Sequence, residues 1–344
     1  MEIHAQPEEP RSTPPQGMIL QMAMGAIMTQ ALGAAAKLGV ADLLVEGERS
    51  VDELADQTGT HGPSLYRILR SLASTGIFRE TATRTFSNTE MSDPLRSHVP
   101  GSMRHAVIFM AEPWHYNVWG NMLHSARTGE TAWKKTYGEE VFEWLPKHPE
   151  ASEVFNKAMT DMSGSVAPAI VEAYDFSGIE VLADIAGGHG LLLSQILKVN
   201  PDLRGILFDL DHVVAGAGAL LQREGVADRV QTSSGDFFRE VPAADGYIMK
   251  HIIHDWDDDR SIKIMQSIHR AMSGDGPMLL VEMVVPEGNE PHPSKILDLE
   301  MLTSPGGLER TEKEYSALFT AAGFRLNRVI PTRSPFMVIE ALKS

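Results

Sequence analysis

Between residues 17 and 37, Met, Ile, Leu and Ala fall on nearly every face of a helical repeat instead of along one stripe. A helix that is apolar all round must be covered on all sides. The pattern therefore predicts burial against a second copy of the chain, a homodimer. Gln21, Thr29, Gln30 and Lys37 interrupt the apolar stretch from Met18 to Leu44, which favours a buried helix over a membrane span. The next pattern opens with Ser50 and Glu53, a capping box for a short helix. Gly59 stops that helix, and Pro63 suits the first turn of a second one, which buries Leu65, Ile68, Leu69 and Leu72. After Gly76, short strands are expected from Ile77 to Phe86. Helix, turn, helix and wing form a winged-helix pattern, giving an otherwise all-helical module over residues 17–100. Residues 1–16, polar and carrying Pro7, Pro10, Pro14 and Pro15, read as a disordered leader without a secretory signal.

Residues 101–175 predict a helical linker. It carries Trp114, Tyr116, Trp119, Trp133, Phe142, Trp144 and Phe155, and so four of the five tryptophans. An aromatic layer of this kind is either plain core or the lining of a pocket for a flat organic molecule. From about residue 176 the texture changes. Short apolar runs and helical patterns alternate over 180–185, 191–198, 204–210, 212–222, 230–232, 246–249, 262–272 and 277–285. Such alternation builds βαβ units, and hence an α/β doubly wound sheet covered on both faces. Residues 325–330 and 336–341 flank a Pro-Thr-Arg-Ser-Pro turn and read as an antiparallel edge pair.

Composition then narrows the partners. A net charge of -16 has the wrong sign for a phosphate backbone. The winged helix is accordingly read as a packing module and not a DNA-binding regulator, and an anionic membrane surface is disfavoured too. The chain has no cysteine, which rules out disulfides, thiolate metal sites and a cysteine nucleophile and suits a cytoplasmic location.

In a doubly wound sheet, ligands bind beyond the carboxyl ends of the strands. The first run ends Asp184-Ile-Ala-Gly187-Gly-His-Gly190, a tight glycine turn that lets a ligand approach the backbone. Leu193 stands where a dinucleotide fingerprint needs its third glycine, which weakens a nicotinamide oxidoreductase reading. Asp209, at the end of the second run, can accept both hydroxyls of a ribose. Asp236 and Phe237, after the third, offer an acceptor for an adenine amino group and an aromatic face. The fourth run leads through Lys250 to His251-Ile-Ile-His254-Asp255. A histidine is the natural side chain to deprotonate a hydroxyl near neutral pH. Glu282 or Glu309 can hold such an imidazole in one tautomer, and Asp255 can orient the segment. His251 and His254 with the acids 257–259 could be read as metal ligands. No second histidine cluster supports that, and the acids suit a helix start, so no metal is expected.

These motifs, in this order, resemble the plant-type small-molecule O-methyltransferases and their bacterial relatives, such as the caffeic acid, acetylserotonin and hydroxyneurosporene enzymes. The likeness rests on Asp184 to Gly190, Phe208-Asp209-Leu210, Gly235-Asp236-Phe237, Lys250 to Trp256, Phe155-Asn-Lys-Ala-Met159 and Gly306-Gly-Leu-Glu309-Arg-Thr-Glu-Lys-Glu314. It implies a class I methyltransferase domain of Rossmann-like fold over 176–344, a dimerising N-terminal part, and S-adenosylmethionine as cofactor. By matching motif it implies that Gly187, Asp209, Asp236, Phe237, Lys250 and Ser163 contact the cofactor. It implies His254 as base flanked by Glu282 and Glu309, and Phe155, Met159, Met301 and Asp255 around the acceptor. Two departures stand out: Ala186 replaces the usual first glycine of the motif, and the segment from Met301 to Gly306 is one residue short of the plant pattern, which leaves Ser304 without a sure counterpart. The reaction expected is in-line transfer of a methyl group to a hydroxyl of a small aromatic or polyketide-like molecule. The alternative within the fold is a relative repurposed for S-adenosylmethionine-assisted hydroxylation or decarboxylation, against which the retained His254 and both glutamates argue.

Overall fold

The computed structural model describes residues 14–344. The expected leader lies outside the described residues, except that Pro15 and Gln16 already open a helix. Two compact units divide after Arg96, close to the boundary expected near residue 100. Residues 101–175, expected as a linker, belong to the same unit as the sheet.

In the N-terminal unit the single predicted helix is two, Pro15–Ala23 and Gly25–Lys37, bent by 40° at Met24. Gly25 at the break has little helix propensity. The first helix buries nothing, and Met18, Ile19, Leu20, Met22 and Ile27 are all exposed. The second buries only Gly33, Ala35 and Ala36. Among the described residues of this unit, much of the all-round apolar pattern is therefore left uncovered. No single helix among the described residues is long and apolar enough to cross a membrane, although this bent pair reaches that length and composition together.

The capping box forms as expected: Ser50 accepts from the Glu53 N–H, and Glu53 accepts from the Ser50 N–H. Helix Val51–Thr58 ends at Gly59 in the left-handed region, and Gly62–Ala73 buries Leu65, Leu69 and Leu72 while Ile68 stays half-buried. The unit is not all-helical. Its wing is a three-stranded antiparallel sheet in the order β1-β3-β2, built from β1 (Arg49–Ser50), β2 (Phe78–Ala82) and β3 (Thr85–Asn88). A strand of two residues leaves no periodicity for the sequence to display.

The C-terminal unit contains a seven-stranded sheet. Its strands are β4 (Val181–Ile185), β5 (Arg204–Asp209), β6 (Val230–Ser234), β7 (Gly246–Lys250), β8 (Met278–Glu282), β9 (Phe324–Pro331) and β10 (Met337–Lys343), in the order β6-β5-β4-β7-β8-β10-β9. The first five are parallel, and the last two form the expected antiparallel pair, with β9 outermost. Side chains alternate between the faces of each strand. Met278 and Leu280 join one apolar cluster, whereas Leu279 and Val281 join the other. The predicted helix over 212–222 is broken into Asp211–Val214 and Gly218–Arg223. Gly216 lies in the break, where an added Cβ would come within 3.2 Å of the His189 ring. The chain runs outward from β4 through β5 to β6, then returns to the other side of β4 as β7. That reversal makes the end of β4 the switch point at which such sheets bind ligands.

Candidate active site

The turn after β4 has little room for side chains. A Cβ on Gly187 would lie 2.6 Å from the Asp184 carboxyl and 2.6 Å from Leu207 Cδ1. Gly188 and Gly190 take positive φ, and so does Ala186, at 55°. A left-handed alanine costs about 1–2 kcal/mol relative to its right-handed form, so the departure at Ala186 keeps the turn at the expense of strain. Asp209, at the end of β5, braces the turn: its Oδ2 accepts the Gly188 N–H at 2.8 Å and its Oδ1 the Leu210 N–H at 2.7 Å. Burial raises its pKa. Burial also raises Asp184 to about 7, against the pull of the Lys250 cation. Asp184 Oδ2 has no hydrogen-bond partner among the described residues. Lys250 ends β7 with its pKa lowered by burial, a shift opposed by Glu282, Asp184 and Asp255.

Beyond β6, Asp236 accepts the Phe238 N–H at 2.9 Å and is half exposed. Phe237, Phe238 and Trp256 pack edge to face with centroids 4.8–5.9 Å apart. Ser163, on helix Pro149–Ala173, donates to the Met159 carbonyl at 2.8 Å. These residues line one cavity of about 390 Å³, within the range of small-molecule sites.

The same cavity reaches His254, which lies in a short turn (Ile253–Asp255) after β7 and is almost wholly buried. Its Nδ1 is 2.6 Å from Glu309 Oε1 and 3.9 Å from Glu282 Oε2. Its Nε2 is 3.5 Å from Asp255 Oδ1. The two glutamates therefore divide the work. Glu309 holds the imidazole, while Glu282 Oε1 accepts the N–H groups of Ile252 and Ile253 at 3.1 and 3.0 Å and fixes the backbone of the segment. Burial disfavours the imidazolium, but Glu282, Asp255 and Glu309 outweigh it and raise His254 to about 10. The crowding acts on the acids as well: burial raises Asp255 to about 7 and raises Glu282, with the His254 charge opposing both.

Two residues of the 306–314 motif hold this segment, a role the sequence does not display. Arg310 is fully buried and donates to the carbonyls of Ile253 and Trp256 at 3.0 and 2.8 Å and to Asp258 at 2.8 Å. Gly307 lies so close that a Cβ there would be 2.0 Å from the His254 carbonyl oxygen. His251, at φ 57°, places its ring 4.4 Å from that of His254 and leaves a buried Nε2 without a partner among the described residues. His251, His254 and Glu282 each present an atom within 4.8 Å of the others. This trio differs from the grouping with residues 257–259 weighed in the sequence, since Asp257 caps helix Asp258–Ala271 by accepting the Arg260 N–H.

Phe155, Met159, Met301 and Asp255 line the cavity, together with Trp114, Trp133, Phe142 and Trp256. Glu282 and Glu309 are not among the lining residues and act through His254 and its backbone. Sequence reasoning missed a second polar group in the wall. There Glu300 takes hydrogen bonds from His115 Nε2 at 2.8 Å, Trp119 Nε1 at 2.5 Å and Ser304 Oγ at 2.7 Å. Its only sequence trace was an acid that stands, with Asp298, among apolar neighbours in 296–301.

Comparison with known proteins agrees with this layout. Residues 119–325 match the O-methyltransferase domain family, and residues 20–97 match the O-methyltransferase dimerisation domain. A phenazine O-methyltransferase of Lysobacter antibioticus is 47% identical over 331 residues, covering 96% of this chain and 97% of that one. The mitomycin biosynthesis 6-O-methyltransferase of Streptomyces lavendulae is 37% identical, covering 92% and 91%. The crystal structure of human N-acetylserotonin methyltransferase in complex with S-adenosylmethionine superposes with a TM-score of 0.89 at 26% identity, covering 98% of this chain and all of that one. With its dimerisation domain, its doubly wound sheet and the glycine turn at the switch point, the chain belongs to the S-adenosylmethionine-dependent O-methyltransferases.

Proposed function

We propose that this enzyme methylates a hydroxyl of a flat, fused-ring molecule of the hydroxyphenazine kind, with His254 as the general base. The observation that carries the reading is the His254–Glu309 contact of 2.6 Å at Nδ1. It commits Nδ1 to the carboxylate and leaves Nε2 for the proton of an acceptor hydroxyl. Glu282, Asp255 and Glu309 raise the imidazole's affinity for a proton, which favours its taking one from an acceptor hydroxyl. Glu309 then stabilises the imidazolium that forms, and Glu282 keeps the turn in place.

The residues at the other end fit an adenosyl cofactor. Gly187 leaves bare backbone where any side chain would clash, Asp209 retains lone pairs for ribose hydroxyls, and Asp236 with Phe237 offers an acceptor and a ring face. Lys250 and Ser163 line the same cavity. Bound there, S-adenosylmethionine supplies a methyl group on a cationic sulfur. A cationic methyl donor held in this cavity would favour the neutral imidazole, the form that can accept the acceptor's proton. The aromatic wall of Trp114, Phe142, Phe155 and Trp256 holds a flat ring and excludes water, so alignment and desolvation complete the catalysis. We further read the exposed apolar helices 15–37 as the surface of a homodimer.

The test is mass spectrometry of a dihydroxyphenazine incubated with the enzyme and methyl-deuterated S-adenosylmethionine. A gain of one trideuteromethyl group on oxygen is the expected result. A hydroxylated or decarboxylated product, or turnover only with amines, contradicts the reading.

A further inference from the structure

The acceptor end of the cavity carries a polar constellation that the methyl transfer itself does not use. Glu300 rises from helix Pro293–Thr303 among Leu297, Met301 and the aromatic rings. Burial alone would raise its pKa, yet the hydrogen bonds from His115, Ser304 and Trp119 outweigh burial and hold it below the usual carboxylate range. The group is thus kept as an anion in an aromatic cavity, where an unsupported charge is strongly disfavoured. Three donors fix it. His115 Nε2 and Ser304 Oγ both reach Oε1, and Trp119 Nε1 reaches Oε2. A carboxylate oxygen accepts two hydrogen bonds with ease, so Oε2 keeps a lone pair. His115 is itself held in place, stacked on Phe109 at 4.0 Å.

The charge balance of the wall points the same way. Among the residues lining the cavity the only lysine or arginine is Lys250, on the cofactor side, where its charge faces Asp184, Glu282 and Asp255. The acids near the acceptor are Asp255 and Glu300, and Glu300 is close enough to raise the pKa of Asp255. The imidazoles there are already engaged, His115 by Glu300 and His254 by Glu309, so among the described residues no free cation faces an acceptor's carboxylate, and the Glu300 anion would repel it.

We propose that Glu300 is the specificity-determining group of this pocket: it accepts a hydrogen bond from a second O–H or N–H of the acceptor, remote from the methylated hydroxyl, and rejects acceptors that carry a carboxylate at that position. The proposal rests on the reading of the cavity as a site for flat hydroxylated molecules. It assigns no step in the transfer to Glu300. A purely structural role, tying helix Pro113–Trp119 to helix Pro293–Thr303, would affect all acceptors alike.

The experiment compares a dihydroxyphenazine with a hydroxyphenazine carboxylic acid of similar size. Dissociation constants are taken by calorimetry in the presence of S-adenosylhomocysteine, and kcat and KM with S-adenosylmethionine. The wild-type enzyme should prefer the diol by about tenfold to a hundredfold, the value of a hydrogen bond to a charged group. Glu300→Gln keeps the shape and removes the charge. It should bring that ratio close to one, acting through KM, with S-adenosylhomocysteine binding unchanged. Glu300→Asp, which withdraws the charge by one methylene, should weaken the diol but still exclude the acid, and it serves if the glutamine variant fails to bind S-adenosylhomocysteine and so has not folded. Equal losses for both acceptors in the folded variants, or a wild type that takes the acid as readily as the diol, would overturn the proposal. If neither phenazine binds or is methylated by the wild type, the underlying reading of the acceptor class fails instead. That outcome is distinct, because the ratio then cannot form.

Discussion

The two ends of the cavity are built by different means. At the cofactor end, backbone does most of the work: the turn after β4 approaches a ligand with bare glycine, and carboxylates at successive strand ends point into the same space. At the acceptor end, side chains from scattered helices do the work, with Trp114, Phe142, Phe155, Glu300 and Trp256 each arriving on a different segment. A site made of backbone has little freedom to vary, because its geometry is that of the strand-to-helix turn. A site made of side chains can be rewritten one residue at a time. The contrast explains how one fold keeps its cofactor while its members differ in acceptor.

The largest effect that would sharpen this contrast is expected at Gly187. In Gly187→Ala the new methyl must displace the Asp184 carboxyl or Leu207, both at 2.6 Å. S-adenosylhomocysteine affinity should fall by about a hundredfold or more, since overpacking and a lost approach act together. Calorimetry checks it, and near-normal affinity would show that the backbone cradle matters less than its side chains.

Next comes Glu309, the partner of the proposed base. Glu309→Gln should lower kcat by about tenfold to a hundredfold while leaving cofactor affinity in place. It also removes one of the carboxylates that raise His254, so the imidazole loses its proton at lower pH. The acid limb of the kcat/KM profile should accordingly move to lower pH. A shift in the other direction would mean that Glu309 does not support the imidazolium.

Arg310 tests whether the segment carrying His254 is held from behind. Arg310→Met takes the charged donor from the carbonyls of Ile253 and Trp256 and leaves Asp258 without its partner, and it should cost about 3 kcal/mol of stability, read by chemical denaturation. The smallest effect is at Ala186. Ala186→Gly removes a left-handed alanine but adds backbone freedom to the unfolded chain, so the net gain should stay under about 1 kcal/mol. A loss of stability would show that the methyl is needed for packing.

The contrast between the ends also decides what was legible in the sequence. Gly187, Asp209, Asp236 and Lys250 stood out because strand ends recur at intervals that the chain displays, and turn chemistry is local. His254 was legible for the same reason, as the residue just past a strand. Its true partner was not, since Glu282 and Glu309 were equal candidates until folding put one at 2.6 Å and the other at 3.9 Å from Nδ1. The His115–Glu300 pair was invisible, because its members are 185 residues apart and neither sits in a motif. Arg310 lies in a recognisable motif, yet its burial beneath the His254 turn depends on four carbonyl and carboxylate contacts made by other segments. The wing strand Arg49–Ser50 was too short to announce itself, and the bend at Met24 followed from a single glycine within a strongly apolar run.

The central claim is that His254 removes the acceptor's proton and leaves cofactor binding to the other end of the cavity. The direct measurement is a pairing of kcat with S-adenosylhomocysteine affinity in His254→Ala, alongside the wild type. The account predicts a fall in kcat of about a hundredfold or more, with affinity changed less than about threefold, equivalent to well under 1 kcal/mol. Unchanged kcat, or a loss of affinity as large as the loss of turnover, would contradict it.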